Sequence, residues 1–169
     1  MSEVKNNIHP FYGGVFSQWY PCKFTIESVV YNCTEQYMMA QKAALFGDEV
    51  RLKNILGSDD PRCQKSQGRL VQGFDKDAWD AVSKDVVFRA NMSKFSQNKD
   101  LYKMLLETGN DKLVEASPTD GLWGVKLSAD DPRIYNPAQW QGSNWLGYIL
   151  MEVRRNLRDA MECSCQIGD

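Results

Sequence analysis

Residues 34–46 read Thr34-Glu-Gln-Tyr-Met-Met-Ala-Gln-Lys-Ala-Ala-Leu-Phe46, and this stretch decides the fold. Thr34 suits an N-cap and Gly47 suits the position just after a last helical turn, so the stretch predicts a helix. Glu35 and Lys42 are its two charged residues. Because no face carries the charges of a solvent-exposed helix surface, we expect the helix to be buried on most sides.

Glu35 and Lys42 share one side of this predicted helix. At ~100° and ~1.5 Å per residue, Lys42 returns to within ~20° of Glu35, about 10 Å further along the axis. One interpretation places both side chains at the rim of the core, where they reach water. The other places an acid/base carboxylate and a desolvated amine beside one cleft. Desolvation lowers the pKa of a lysine and favours its neutral, nucleophilic form.

The segments on both sides of this helix predict an α+β domain in which helices dominate. Residues 24–31 are rich in aromatic and β-branched types and favour a strand or hairpin, and 112–116 is a short strand candidate. Further helices are predicted at about 61–72, 76–95, 100–108 and 143–158. The arginines that end the last helix, Arg154, Arg155 and Arg158, are expected in solvent.

The length, net charge and composition of the chain exclude several classes of protein. A length of 169 residues fits one domain, which we place at 11–160 between an N-terminal extension (1–10) and a C-terminal tail (161–169). The net charge of -2 argues against broad basic surfaces for nucleic acid or membranes. No apolar run approaches the ~18 residues of a membrane span, and no secretory signal is visible, so a cytoplasmic protein is expected. Five irregularly spaced cysteines and one histidine favour reduced thiols over a zinc site.

Two further clusters carry candidate binding residues. In the aromatic block 11–20, most rings are expected in the core, whereas a minority can form a stacking wall on which Ser17 and Gln18 contact the polar edge of a base. Residues 114–124 run from a strand into a loop that presents Asp120 and Trp123. Asp120-Gly121 is also an ordinary turn signal. Phosphate-loop, dinucleotide-binding, zinc-protease and serine-hydrolase motifs are absent from the sequence.

In their order, these segments resemble the NADAR family of YbiA-like N-glycosidases. The resemblance runs from Phe11 to about Arg158. It rests on these blocks: Phe16-Ser-Gln-Trp-Tyr-Pro21, Tyr31 to Lys42, Gly68-Arg69, Trp79, Lys94-Phe-Ser-Gln97, Leu113 to Ser117, Asp120-x-x-Trp-Gly124 and Asn144-x-Leu-Gly147. It implies an α+β fold and a pocket for ribosylated heterocycles. It further implies hydrolysis of an N-glycosidic bond without a metal, and we expect no cofactor.

The resemblance implies two substrate groups, the ribosylaminopyrimidine phosphates of riboflavin synthesis and ADP-ribose attached to guanine in nucleic acid or nucleotides. Lys42, Glu35 and Asp120 are the expected catalytic residues. The expected substrate-binding residues are Ser17, Gln18, Trp19, Tyr20, Arg69, Trp79, Trp123, Gly124 and Asn144. Many relatives read Trp-Gly-x-Gly where this chain has Lys126. Two mechanisms stay open, namely a Schiff base on Lys42 with Glu35 moving protons, or direct attack by water.

Two other classes of protein compete with this hypothesis. A non-catalytic reader of ADP-ribose or a related nucleotide would bind the ligand and release no base. A structural or interaction domain would place Glu35 and Lys42 in solvent, away from any concave surface.

Overall fold

The structure is a computed structural model, and it describes residues 7–166. These residues form two compact units. The central unit comprises residues 18–99, and the split unit comprises residues 7–17 together with 100–166. The helices are α1 (Thr34–Leu45), α2 (Glu49–Leu56), α3 (Pro61–Arg69), α4 (Lys76–Gln97), α5 (Lys99–Glu107) and α6 (Trp145–Gln166). The strands are β1 (Ile8–Phe11), β2 (Phe24–Ile26), β3 (Val29–Tyr31) and β4 (Lys112–Glu115).

The central unit is built around α1. This helix packs against α2, α3 and α4, and eight of its residues are buried, which agrees with a sequence that offers no charged face. Its contact with α3 is close at Gly68, where a Cβ would lie 2.0 Å from the Met39 sulfur. The antiparallel hairpin of β2 and β3 packs against α4. Its turn uses positive φ at Glu27 and Ser28.

The split unit is built around a parallel pair of strands. Strand β1 pairs with β4 in the register Ile8↔Lys112 to Phe11↔Glu115, and α6 packs against β4. The residues after β4 form a long loop containing short 3₁₀ turns at Pro132–Tyr135 and Pro137–Gln139. Its apolar residues Val125, Leu127 and Ile134 are buried together with Val114 of β4, which anchors the loop without regular secondary structure.

The predicted α+β class with dominant helices is confirmed. The hairpin at 24–31, the strand at 112–116 and the loop at 117–142 are present. Gly47 follows the end of α1 with φ 68, as the sequence predicts. The prediction that Thr34 caps α1 was wrong, because Cys33 is the N-cap residue and the Thr34 hydroxyl donates to the carbonyl of Gln18 at 3.1 Å.

Several boundaries differ from the expectation. Ile8, His9 and Pro10, counted with the N-terminal extension, belong to β1, and the rest of that extension up to residue 6 lies outside the described residues. Helix α2 was not predicted. Helix α6 continues to Gln166, well into the expected tail, whose residues 167–169 are also outside the described part.

The expectation of a solvated Arg154 was wrong. This side chain is buried and donates from Nη1 to the Thr108 hydroxyl at 2.7 Å and from Nη2 to the Asp111 carbonyl at 2.9 Å. It therefore ties α6 to the turn between α5 and β4. Arg158 donates to the carbonyl of Gly109 in the same turn. Across residues 7–166, we find no helix with the length and apolar character needed to cross a membrane.

Candidate active site

Helix α1 holds the two charged residues of the candidate site. Glu35 lies in its first turn and is 6% exposed, and Lys42 lies two turns later and is half-buried. The Glu35 amide donates to the Gln18 carbonyl at 3.0 Å, which fixes the start of the helix against the preceding segment. The interpretation that placed both residues in solvent therefore does not describe Glu35.

The surroundings of Lys42 favour its neutral form. Burial lowers the pKa of Lys42, the guanidinium of Arg69 lowers it further, and the carboxylate of Glu35 acts in the opposite direction. The ammonium nitrogen lies 4.3 Å from the centroid of the Phe74 ring. A lysine that loses its proton more readily than usual and lies on the same helix as a buried carboxylate has the properties of an amine nucleophile with an acid/base partner.

Gln18 connects the aromatic block to α1 and α4. Its Oε1 accepts a hydrogen bond from Asn91 Nδ2 at 3.0 Å, and its carbonyl accepts from Glu35 and Thr34. Its Nε2 lies 3.9 Å from the sulfur of Met38. Since protein groups engage so much of this side chain, the structure supports a positioning role for Gln18 at the start of α1.

The neighbouring aromatic residues differ in accessibility. Trp19 is 38% exposed, and Lys65 Nζ lies 5.8 Å from its ring centroid. Tyr20 is half-buried with Lys94 Nζ 5.5 Å from its ring. Trp79 on α4 is only 8% exposed, so its ring mainly packs within the central unit and offers little surface to a stacking base. Arg69, at the last position of α3, is exposed.

The remaining predicted site residues belong to the split unit. Asp120 organises a turn, since its Oδ1 accepts from the amides of Leu122 at 2.8 Å and Trp123 at 2.9 Å. The amide of Asp120 donates to the Ser117 hydroxyl at 3.1 Å. Trp123 is half-buried and packs edge-on against Trp145 with 5.4 Å between centroids. The turn interpretation of Asp120-Gly121 is thus confirmed, and one carboxylate oxygen is engaged in it.

Gly124 and Asn144 have structural roles close to this turn. A Cβ on Gly124 would lie 2.9 Å from the Glu115 carbonyl, so a side chain cannot fit there. Asn144 is fully buried with φ 53, and its side chain accepts from the Glu115 amide and donates to the Leu113 carbonyl, both at 3.0 Å. It thereby joins the start of α6 to β4. Ser17 is half-buried, and its amide donates to the Gly14 carbonyl at 3.0 Å.

The structure distributes the predicted site residues over both units. The central unit holds Gln18, Trp19, Tyr20, Glu35, Lys42, Arg69 and Trp79, and the split unit holds Ser17, Asp120, Trp123, Gly124 and Asn144. Within residues 7–166, no group of three or more His, Cys, Asp or Glu side chains is arranged to hold a metal ion. Among the predicted site residues, Glu35 and Lys42 are the two charged residues that share one helix.

A model of the NADAR domain matches residues 8–158, nearly all of the chain that the structure describes. The chain belongs to the NADAR family. The family domain spans both units, and the resemblance inferred from the sequence blocks is confirmed.

Relatives of this NADAR protein include enzymes and a solved structure. N-glycosidase R617 of Acanthamoeba polyphaga mimivirus is 44% identical over 145 residues, covering 83% of this chain and 85% of that protein. Riboflavin biosynthesis protein VVA0006 of Vibrio vulnificus (strain YJ016) is 31% identical over 147 residues, covering 86% of this chain but 36% of that longer protein. The NMR structure of Escherichia coli YbiA matches with a TM-score of 0.77 at 28% identity, covering 94% of this chain and 89% of the other. The expected enzyme class, hydrolases of N-glycosyl compounds, is confirmed at the level of the family.

Sequence reasoning missed two residues near α1 of this NADAR protein. Lys94 is fully buried, and burial lowers its pKa to about 8 while the neighbouring Cys22 and Cys33 act in the opposite direction. Its spacing from the buried Val87 and Asn91 on α4 was a usable signal, since residues three, four and seven apart share a helix face. Phe74 follows Gly73 in a turn, and only its three-dimensional contact with Lys42 identifies it.

Proposed function

We propose that this NADAR protein hydrolyses the N-glycosidic bond of a ribosylated heterocycle, with Lys42 as the nucleophile and Glu35 as the acid/base. The observation that carries the proposal is the placement of these two side chains on α1. A half-buried amine whose pKa is lowered by burial shares a helix face with a buried carboxylate. The N-glycosidase names of relatives covering most of the chain support the reaction class.

The first half of the reaction transfers the sugar to the enzyme. In a glycosylamine, the ring oxygen takes a proton as its bond to the anomeric carbon breaks, and that carbon becomes an imine of the base nitrogen. The lone pair of Lys42 Nζ forms a bond to this carbon. A proton then passes from Nζ to the base nitrogen through Glu35, the carbon–nitrogen bond to the base breaks with its electrons leaving on the base, and a Schiff base to Lys42 remains.

The second half releases the sugar. Water adds to the carbon of the Schiff base, and Glu35 accepts one of its protons. The carbon–nitrogen bond to Lys42 then breaks as Nζ takes a proton, and the sugar leaves as an aldehyde that closes again to its ring form. The net reaction consumes one water and regenerates the amine. Glu35 must alternate between its charged and protonated forms, and it lies buried in the first turn of the helix that carries Lys42.

The substrate is a flat base joined through nitrogen to a phosphorylated ribose. Two groups satisfy this description, ADP-ribosylated guanine and the ribosylaminopyrimidine phosphates of riboflavin synthesis, and the name of the Vibrio vulnificus relative supports the second. Arg69, exposed at the end of α3, is proposed to bind phosphate, and Trp19 of the same unit is proposed to contact the base.

A panel of two substrates with reductive trapping tests this function. ADP-ribosylated guanosine and a ribosylaminopyrimidine phosphate are each incubated with the protein, and free base is measured by chromatography. Borohydride added during turnover is expected to leave a sugar-derived mass on Lys42, with Lys53→Arg on α2 as a surface control. Base release without trapping on Lys42 indicates direct water attack. Binding of both compounds with no base release identifies a nucleotide reader and refutes the proposed function.

A further inference from the structure

Phe74 presents an aromatic surface directly at the proposed nucleophile. Its ring centroid lies 4.3 Å from Lys42 Nζ, and 45% of the residue is exposed. Phe46 packs edge-on against it, with 5.5 Å between the ring centroids. The ring is therefore supported by Phe46, and the residue remains accessible to solvent.

The turn that carries Phe74 is fixed on both sides. The Gln72 amide donates to the carboxylate of Asp48, the cap of α2, at 2.9 Å. Asp75 caps α4 by accepting from the Ala78 amide at 2.8 Å. Gly73, with φ 72, turns the chain between these two anchors. Phe74 is thus held at a fixed place beside α1, although it belongs to neither flanking helix.

The reaction places the departing base close to this ring. A nucleophilic nitrogen lies about 3–3.5 Å from the carbon it attacks, and the leaving nitrogen is bonded to that same carbon at roughly 1.5 Å. The base therefore lies within a few ångströms of Lys42 Nζ. Aromatic rings interact at centroid separations of about 4.5–7 Å, so a base in this position falls within stacking distance of Phe74. Trp79, one of the rings expected from the sequence to bind the base, is 8% exposed and far less accessible.

We propose that Phe74 is a specificity-determining residue that binds the departing flat heterocycle beside Lys42. This inference rests on the proposed function, because the position of the base is derived from attack by Lys42. Phe74 would then mark the side of the site where the leaving group lies, and its ring would favour an aromatic base over a non-planar amine.

The test compares Phe74→Leu with Phe74→Tyr, using ADP-ribosylated guanosine as the probe. Leucine keeps an apolar cover over Lys42 but removes the aromatic face, whereas tyrosine keeps both. We expect Phe74→Leu to raise KM about tenfold, in line with the contribution of one aromatic stacking contact, and Phe74→Tyr to stay close to the wild type. Tyr135→Leu, which removes an aromatic residue that is 60% exposed, is the matched control.

The pH dependence of kcat distinguishes stacking of the base on Phe74 from a role in which Phe74 only shields Lys42 from water. If Phe74 only shields Lys42 from water, Phe74→Leu changes the pH dependence of kcat and leaves KM unchanged, and that result overturns the inference. Equal KM values for Phe74→Leu and the wild type overturn it as well.

Binding to catalytically inactive proteins keeps this inference distinct from the proposed function. The affinity of ADP-ribosylated guanosine is measured by calorimetry for Lys42→Ala and for Lys42→Ala combined with Phe74→Leu. If the wild type hydrolyses no member of the panel but affinity still falls with Phe74→Leu, the proposed function is wrong and Phe74 remains a base-binding residue. If hydrolysis occurs and affinity is unchanged, Phe74 alone is wrongly assigned.

Discussion

Lys42 on α1 and Lys94 on α4 belong to the same unit but differ in how much of each residue is exposed to solvent. Lys42 is half-buried, with Phe74, Arg69 and Glu35 around it. Lys94 has no exposed surface, lies next to Tyr20, and has its pKa lowered to about 8 by burial. The comparison teaches that the size of a pKa change does not identify a nucleophile. A nucleophile must also reach its substrate, and of these two lysines Lys42 has the exposure to do so.

The largest expected effect separates the two lysines by activity. Lys42→Ala is expected to reduce kcat/KM on the order of 10⁴-fold, because it removes the proposed nucleophile. Lys94→Met is expected to retain most activity at equal folded fraction, because Lys94 has no exposed surface with which to contact a substrate. Steady-state rates with the better substrate of the panel, alongside circular dichroism of each variant, measure this. Equal losses in the two variants would contradict the comparison.

A second effect concerns stability and the buried amine of Lys94. The folded pKa of about 8 lies below the usual lysine pKa of 10.5, so between these values the unfolded chain binds the extra proton and stability rises with pH. Below about pH 8 the burial penalty is fully present. It is relieved by about 3 kcal/mol in total by pH 10.5, of which about 1 kcal/mol falls between pH 8 and 9.

Urea unfolding of the wild type and Lys94→Met at pH 7.5 and 9 measures this effect. The wild type should gain stability relative to the variant as pH rises. Burial also raises the pKa of Cys33, to about 11, which makes stability fall as pH rises from about 9 to 11. Because that fall only begins near pH 9, it remains the smaller contribution between pH 7.5 and 9. A pH-independent difference would show that Lys94 keeps its proton in the folded state at both pH values, and that burial does not lower its pKa into this range.

A smaller effect is expected on the pH dependence of activity when a charge near Lys42 is removed. The neutral amine is the reactive form, so activity should rise with pH through a Lys42 pKa that lies below the usual 10.5. Arg69 is the weakest of the three influences on this pKa and lowers it. Arg69→Gln should therefore raise the Lys42 pKa and move the rising limb of the kcat profile to higher pH. Arg62→Gln, exposed on the same helix, should leave the limb in place, and an unmoved limb in both variants would refute the assigned role.

The smallest effect lies outside the lysine pair, in the split unit. Lys126 has φ 57, a left-handed conformation that glycine adopts more easily, and its side chain is exposed. Lys126→Gly is expected to stabilise the protein by about 0.5–1 kcal/mol with little change in kcat. Thermal unfolding checks the first expectation and steady-state kinetics the second. A loss of activity would show that the Lys126 side chain contributes to the site.

Helix α1, and the placement of its two charged residues on one side, could be predicted because the sequence signals for them lie in neighbouring residues. A glycine after the last turn and a seven-residue spacing of the two charges can be recognised in neighbouring residues. The caps at Asp60 and Asp131, each followed by proline, are local features of the same kind.

Features that depend on distant partners were not predictable in this way. Strand β1 is four residues long and acquires its identity from pairing with β4. Arginine is usually exposed to solvent, and Arg154 is buried here because the turn at 108–111 supplies oxygen acceptors for its guanidinium. Phe74 is identified as a candidate site residue only by its short distance to Lys42 in the folded protein. Asn144 was expected to bind substrate, whereas its amide group is occupied in joining α6 to β4.

The parallel pairing of β1 with β4 has a consequence for synthesis of the protein. It joins residue 8 to residue 112, so the first strand leaves the ribosome long before its partner exists. The central unit, in contrast, is one uninterrupted segment, so all of its residues are available to one another once residue 99 has emerged. We expect translation to yield an early helical intermediate with an unpaired N-terminal strand, and closure of the sheet to be the slow, chaperone-sensitive step.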